Sequence, residues 1–266
     1  MNKDNILINQ LFHGLLGFIF HRDLHKDWKG TKNFKDNEHV ASIWGERKFE
    51  DWPYRLLDDE KQAIDSYIYH SHEVNFHLRK FNGRIDEKED LTGLNIPEHA
   101  TIINQIRNID RALAKSKIEK PIKVYRRVTE MQFFKAEEIL AKKLYLKDMN
   151  GNIERKVFSK IMNEFVLNKN EYYDPSYVST SLSKDPQQMQ DGFRSRPILL
   201  KIEVPAGTKV AYLGMRTINK RHPEEKEMLI ARGQNFKYEY ATLIKESGQN
   251  TLLVKVKLIS KKNLPK

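Results

Sequence analysis

Tyr177-Val178-Ser179-Thr180-Ser181-Leu182-Ser183 is the stretch on which both the fold and the chemistry of this chain depend. Its apolar flanks and short polar alternation predict a strand over residues 177–182. Side chains alternate between the faces of a strand, so Ser179 and Ser181 share one face and Thr180 lies on the other. Two hydroxyls on one face can fix the rotamer of a neighbouring carboxylate. The alternative is that these three residues are simply the polar residues of an exposed strand.

Two further patches lie far from this strand in the sequence, Val124-Tyr125-Arg126-Arg127 before it and Pro223-Glu224-Glu225-Lys226-Glu227-Met228-Leu229-Ile230 after it. Arg126 follows two apolar residues on a predicted strand. An arginine that points inward there must be paired, because an unpaired buried charge is very costly. Its partner is either a structural carboxylate or a ligand phosphate, which suits the planar guanidinium. Arg196, just before Pro197 and another apolar strand, raises the same choice.

Glu225 and Glu227 form a carboxylate pair two residues apart. They share a face if the segment is a strand and lie on different sides if it is a helix. Apolar Met228-Leu229-Ile230 follow directly, so the pair stands where a loop enters a buried strand. Catalytic groups are often carried by loops on rigid scaffolds, whereas a bare pair of this kind is usually a solvated charge run.

The order of predicted elements, helices first and short strands afterwards, favours an α+β fold over alternating βαβ units. The first long helix starts at residues 57–62 with acidic residues in its first turn, breaks near residues 69–73 and ends at Asn82-Gly83. The sequence contains no GxGxxG or Walker loop, so Rossmann and P-loop folds have no support. Further helices are predicted over residues 102–114 and 133–144, and strands over 122–126, 198–204, 210–213, 227–230 and 251–259.

Composition excludes several classes of protein. The 266 residues contain no cysteine, which rules out disulfides, thiolate metal sites and cysteine nucleophiles. The formal net charge is +11, but lysine and arginine are scattered, which argues against nucleic-acid binding. No stretch reaches the roughly 20 apolar residues of a transmembrane helix.

The apolar residues 11–20 predict an amphipathic helix within an amino-terminal extension or linker, residues 1–37. One folded domain follows over residues 38–266.

Taken in order, Arg126, Ser179-Thr180-Ser181 and Glu225-Lys226-Glu227 resemble the Arg, Ser-Thr-Ser and Glu-x-Glu signature of mono-ADP-ribosyltransferase toxins. The chain is most similar to the enzymatic domain of actin-modifying binary toxins, including the vegetative insecticidal and iota types, over about residues 40–266. The resemblance implies that residues 38–266 are a catalytic domain. It also implies a helical amino-terminal part followed by two packed, mostly antiparallel sheets around an NAD cleft.

The same resemblance implies a role for each site residue. Glu227 would stabilise the oxocarbenium-like transition state, Ser179 would position Glu227, and Glu225 would deprotonate or orient the acceptor. His222 replaces an aromatic residue that contacts the target protein in many relatives, so target recognition is assigned to it. Ser71-His72 replace a second tyrosine found at the NAD site of relatives. The residues implied to bind NAD are Arg126, Arg196, Thr180, Ser181, Phe193, Tyr67 and Arg127, with Arg126 and Arg196 near its phosphates and Phe193 in the loop that stacks on nicotinamide.

The function implied is transfer of ADP-ribose from NAD, used as a substrate without a metal, to an arginine of a host protein. Glu rather than Gln at position 225 is the family's mark of arginine acceptors, whereas the Gln form goes with asparagine or related acceptors. By resemblance the target is actin, a separate carrier component is a candidate partner, and the protein is a secreted bacterial toxin that acts in the host cytosol. The alternatives are a transferase for another residue type, an NAD glycohydrolase, and a catalytically inert binding module of the same fold.

Overall fold

The computed structural model describes residues 31–34, 37–85, 96–148, 151–168, 171–184, 195–219, 223–246 and 249–259. Lys32–Lys266 forms one compact unit, and of Met1–Thr31 only Thr31 belongs to the described residues. The helix predicted over residues 11–20 therefore lies outside the described part of the chain. Lys32 already belongs to the sheet region, because its amide donates to Pro121 O at 3.0 Å and its carbonyl accepts from Lys123 N at 2.9 Å.

Five α-helices lie in the described part of the chain. They are α1 (Glu38–Lys48), α2 (Asp58–Lys80), α3 (Ile96–Ala114), α4 (Ala136–Lys142) and α5 (Arg155–Ile161), the last continuing into a π-helical turn, Met162–Leu167. Three acidic residues open α2, and the Glu60 carboxylate accepts from Leu57 N at 2.9 Å. Inside α2, His70 has non-helical angles (φ −127°, ψ 30°), which is the break that the sequence predicts near residues 69–73.

Eight strands form a single hydrogen-bonded order, β2-β7-β8-β4-β1-β3-β6-β5. Their neighbours pair antiparallel except for β4 and β8, the one parallel pair among the described strands. The α+β class and the mostly antiparallel pairing are thus confirmed. The strands are β1 (Ile122–Val128), β2 (Glu171–Asp174), β3 (Val178–Ser181), β4 (Ile198–Val204), β5 (Val210–Tyr212), β6 (Glu227–Ile230), β7 (Gln234–Glu246) and β8 (Gln249–Ile259).

The two expected sheets, β2-β7-β8-β4-β1 and β3-β6-β5, are joined through β1 into one hydrogen-bonded order. One edge of β1 pairs with β4 along its whole length, from Ile122↔Val204 to Val128↔Ile198. The other edge meets β3 at the single register pair Tyr125↔Ser181. A strand has two hydrogen-bonding edges, so one short contact is enough to make the order continuous. This junction brings the strand of Arg126 beside the strand of Ser179.

Partly or fully buried polar groups join α3 to neighbouring segments, including those that lead into β3 and β7. The Trp52 indole donates to Ala112 O at 2.9 Å, and the Tyr177 hydroxyl donates to the Asp110 carboxylate of α3 at 2.8 Å. Asp110 also accepts from Arg232 Nε at 2.9 Å, just before β7. Buried polar groups need such partners, because an unsatisfied one costs about 1–3 kcal/mol. The contacts fix α3 against the start of β3, which carries the hydroxyl-rich stretch.

Candidate active site

Glu227 is the first residue of β6 and is buried. Strand β6 pairs with β3 and β5, and all four of its residues are buried. The Ser179 hydroxyl donates to Glu227 Oε1 at 2.5 Å, a charge-assisted hydrogen bond that fixes the carboxylate. Ser179 itself is exposed, so this carboxylate is held at the edge of a cleft rather than deep in the core.

The environment of Glu227 holds its ionisation near neutrality. Burial raises the pKa of Glu227 to about 7, the hydrogen bond from Ser179 opposes this effect, the charge of Glu225 adds to it, and the charge of Arg126 opposes it. Burial disfavours the charged form of a carboxyl group, whereas donors and cations favour it. A carboxylate whose pKa is shifted in this way by identifiable neighbours is typical of a functional site.

Glu225 lies outside the strand, on the turn that leads into it. Residues Pro223–Glu225 form a short 3-10 helix, and Lys226 follows with a φ of +50° before β6 begins. The Ser181 hydroxyl donates to Glu225 O at 2.7 Å and so ties this turn to β3. Thr180, on the other face of β3, donates to Met228 O at 2.8 Å. Ser179 therefore holds Glu227, Ser181 holds the Glu225 turn, and Thr180 links β3 to β6.

Arg126 and Arg196 are close enough for their charges to interact. Arg126 is half-buried on β1, and its guanidinium makes no hydrogen bond or ion pair with any residue that the structure describes. Arg196 donates to Arg127 O at 3.2 Å, and its pKa is lowered by burial and then by the charge of Arg126. Two guanidinium groups held together in this way suit a ligand that carries more than one negative charge.

Arg127 has a different environment from its neighbour Arg126. It is 8% exposed, and its Nη2 donates to Glu246 Oε2 of β7 at 2.8 Å. Adjacent residues of a strand point to opposite faces, which separates the two guanidinium groups. Arg127 is thus held in a largely buried ion pair, and its assignment to NAD binding stays a prediction.

Tyr67 is a buried residue of α2 that packs against Tyr177, just before β3. It is 1% exposed, its ring meets that of Tyr177 edge-on at 5.5 Å, and its hydroxyl accepts from Asn75 Nδ2 at 2.9 Å. Burial, followed by the charge of Glu227, raises the pKa of the Tyr67 phenol. Tyr67 therefore lies within electrostatic range of Glu227. Phe193 and His222 lie outside the described residues, and their assigned roles stay predictions.

Two residues near the cleft were not predicted from the sequence. Arg79 at the end of α2 donates to Ser176 Oγ at 2.9 Å, and its charge opposes the rise that burial causes in the pKa of Tyr67. Burial raises the pKa of Tyr172 to about 12, and the charges of Arg79 and Arg126 oppose that rise. Arg79 follows Asn75 by four residues, so both lie on one helix face. This spacing is the feature of the sequence from which Arg79 could have been predicted to lie near the cleft. Strand β2, which carries Tyr172, gave no comparable pattern.

A groove of about 920 Å³ lies beside the Glu225 turn. One wall comes from α1 and the segment that follows it, and the opposite wall comes from the segment after β5 and the turn itself. Tyr54, on the α1 side, is 82% exposed, which is unusual for an aromatic side chain. The lining residues are Ser42, Glu46, Arg47, Glu50, Pro53, Tyr54, Gly214, Met215, Arg216, Thr217, Pro223, Glu224 and Lys226.

Among the residues that the structure describes, no cluster of three or more His, Cys, Asp or Glu side chains could hold a metal ion. Within the same ranges no helix is both long and apolar enough to span a membrane.

Comparison with known proteins agrees with this geometry. The model of the ADP-ribosyltransferase exoenzyme family matches residues 41–261. The chain is 28% identical over 211 residues to the epidermal cell differentiation inhibitor of Staphylococcus aureus, covering 77% of this chain and 76% of that one. It is 29% identical over 188 residues to the mono-ADP-ribosyltransferase C3 of a Clostridium botulinum D phage, covering 71% and 65%.

Solved structures share the fold at lower identity. C3stau2 of S. aureus, solved with NAD, superposes with a TM-score of 0.68 at 24% identity, covering 87% of this chain and 99% of that one. BECa of C. perfringens, solved with NADH, gives 0.68 at 19% identity and covers 88% of this chain but 49% of its own. The chain belongs to the ADP-ribosyltransferase exoenzyme family, as an NAD-dependent mono-ADP-ribosyltransferase of the toxin class.

Proposed function

We propose that this protein transfers ADP-ribose from NAD to an arginine side chain of a host protein. The observation that carries the proposal is the separation of two carboxylates. Glu227 is buried at the start of β6 and bonded to Ser179, whereas Glu225 is half-buried on the turn beside the groove. In this proposal Glu227 serves the ribose and Glu225 serves the acceptor.

The dinucleotide would be held by Arg126 of β1 and by Arg196, just before β4. Arg126 has an unoccupied guanidinium fork among the described residues, and Arg196 lies within electrostatic range of it. Planar guanidinium groups bind phosphate oxygens through paired hydrogen bonds. Arg79 would supply a third positive charge on the α2 side of the same cleft, where it acts on Tyr67 and Tyr172.

Cleavage of NAD would depend on the ionised form of Glu227. The bond between the ribose C1′ and the nicotinamide nitrogen breaks, and its electron pair leaves with nicotinamide. Positive charge then develops on the ribose, where a fixed carboxylate stabilises it without reorganisation. The hydrogen bond from Ser179 keeps Glu227 oriented and favours its charged form.

Transfer would be completed at Glu225. A guanidinium nitrogen of the acceptor forms the new bond to C1′ and loses one proton, which the Glu225 carboxylate accepts. A carboxylate also attracts the cationic acceptor before the reaction. A glutamine could do neither, which agrees with the resemblance-based link between Glu at this position and arginine acceptors. Water can replace the acceptor nitrogen in forming the new bond to C1′, so NAD hydrolysis is the expected side reaction.

The acceptor protein would dock in the groove beside Glu225. Tyr54 projects from the α1 wall, and Glu224 and Lys226 of the opposite wall flank Glu225 in sequence. Actin, a separate carrier component and action in the host cytosol belong to the same proposal, and they rest on the resemblance to binary toxins. His222 and Phe193 are the remaining residues proposed for target and nicotinamide contacts.

The test is incubation with labelled NAD, host cell lysate and a small guanidine such as agmatine, with the modified residue mapped by mass spectrometry. We expect Glu227→Gln to abolish both transfer and NAD hydrolysis. Glu225→Gln should lose transfer to guanidine and keep part of the hydrolysis. Label that survives Glu227→Gln would refute the catalytic assignment. Label found on asparagine, or hydrolysis without transfer, would support the alternative acceptor or the glycohydrolase instead.

A further inference from the structure

Lys226, the residue between the two carboxylates, has a left-handed backbone. Its φ is +50°, a region that residues other than glycine, asparagine and aspartate rarely enter. The 3-10 turn ends just before it at Glu225, and β6 begins just after it at Glu227. The chain therefore passes from a right-handed turn to an extended strand through this one residue.

The left-handed residue decides where the two carboxylates lie. In an uninterrupted strand, residues two apart point to the same face. Glu225 would then stand on the same face as Glu227, and two like charges on one face would make it more costly to bury the charged form of Glu227. Because Lys226 interrupts the alternation, Glu227 is 8% exposed, whereas Glu225 is half-buried on the turn.

Several hydrogen bonds hold Lys226 in this conformation. Its amide donates to Pro223 O at 3.3 Å, and its carbonyl accepts from Leu182 N at 3.1 Å. Its Nζ donates to Glu224 O at 2.9 Å, and Ser181 Oγ donates to Glu225 O at 2.7 Å. A backbone conformation of this kind persists only when the surroundings fix it, and such residues concentrate at functional sites.

We propose that Lys226 is a positioning residue for the acceptor step, in which its left-handed backbone directs Glu225 to the acceptor and leaves Glu227 on β6. The inference rests on the proposed function, because it takes Glu225 as the group that receives the acceptor's proton. It predicts that the backbone of residue 226 affects transfer more strongly than it affects cleavage of NAD. The ammonium group contributes only through its bond to Glu224 O.

Two substitutions separate the backbone from the ammonium group. Lys226→Asn removes the ammonium but keeps a residue that tolerates the left-handed region. Lys226→Val removes the ammonium and strongly disfavours that region, because a β-branched side chain is poorly accommodated there. The readout is the ratio of transfer to agmatine over NAD hydrolysis, measured on the same preparation.

We expect Lys226→Val to lower this ratio by about tenfold or more, which corresponds to about 1.4 kcal/mol in the acceptor step. Lys226→Asn should keep the ratio within about threefold of the wild-type value. A ratio is used because a general loss of folded protein lowers both reactions equally and leaves it unchanged.

Lys143 offers a matched control. It has the same side chain and nearly the same φ, 51° at the end of α4 against 50° at Lys226. Lys143→Val therefore introduces a similar conformational penalty at a position outside the described site. We expect it to lower the thermal unfolding midpoint by an amount similar to Lys226→Val, without changing the ratio.

The outcomes distinguish this inference from the proposed function. If the wild type transfers to agmatine and Lys226→Val keeps the wild-type ratio, the inference is overturned and the proposed function stands. If Lys226→Asn and Lys226→Val lower the ratio equally, the ammonium group rather than the backbone conformation controls transfer, and the inference is also overturned. If the wild type hydrolyses NAD but modifies no guanidine, both fail. Should Lys226→Val not fold, the β-branched Lys226→Thr takes its place in the same comparison.

Discussion

Ser179→Ala tests the electrostatic role of the hydroxyl-rich strand most directly. The substitution removes the hydrogen bond from Ser179 Oγ to Glu227 Oε1, which is 2.5 Å long. Ser179 is exposed, so its loss leaves no cavity in the core. The bond favours the charged form of Glu227, whose pKa stands at about 7 because burial outweighs it. Without the bond, the pKa of Glu227 rises further.

The size of the effect follows from the strength of such bonds. A hydrogen bond to a charged group contributes about 1.5–3 kcal/mol, and 1.36 kcal/mol corresponds to one pKa unit. The pKa of Glu227 would then move from about 7 to about 8–9. At pH 7, about half of Glu227 is ionised in the wild type, and about 1–9% would be ionised in the variant.

The assay is kcat/KM for NAD hydrolysis between pH 5 and pH 10, which reports the ionisation of the free enzyme. We expect a loss of about 5- to 50-fold at pH 7 that shrinks to about twofold or less at pH 9. The exposed Ser159 of α5 provides a control, because Ser159→Ala should leave the profile unchanged. A loss of the same size at pH 7 and pH 9 would refute the reasoning, since it would mean that Ser179 acts without changing the ionisation of Glu227.

Three other predictions follow from burial and exposure. The folded-state pKa of Glu227 is raised to about 7, so its contribution to stability is full below the unfolded pKa and lost as pH rises through 7. Glu227→Gln should therefore stabilise the fold by about 1–3 kcal/mol at pH 8 but not at pH 4, as measured by urea unfolding. Gly45→Ala should cost about 1–3 kcal/mol in the same measurement, because its new Cβ would lie 2.6 Å from the buried Tyr212 ring, and an unchanged midpoint would contradict the packing. Tyr54→Ala should lower transfer to the acceptor protein about tenfold but not transfer to agmatine; an equal loss for both would remove the groove from target binding.

The sequence predicted best those elements whose pattern is local. The strands over residues 198–204 and 227–230 begin and end where predicted, because continuous apolar runs bounded by turns mark buried strands. The break in α2 was also predicted, and it falls at His70. These signals depend on neighbours in the chain, so they need no knowledge of the rest of the fold.

Elements that depend on distant partners were missed or misplaced. Strand β7 alternates Phe236, Tyr238 and Tyr240, but a register shift between Tyr238 and Tyr240 interrupts its period, and the strand was not predicted. Strand β2 has four residues and exists through its pairing with β7. The continuity of the sheet depends on the single pair Tyr125↔Ser181, which no local pattern encodes.

By itself, the sequence determined which chemical groups are available: a guanidinium at Arg126, hydroxyls at positions 179–181, and a Glu-x-Glu pair. The tertiary structure decided what each group does, because burial and hydrogen bonding join residues far apart in the chain. Ser179 reaches Glu227 across 48 residues, and burial in the β3–β6 pairing raises the pKa of that carboxyl group to about 7. The left-handed backbone of Lys226 then separates Glu225 from Glu227, a division that a spacing of two residues cannot specify.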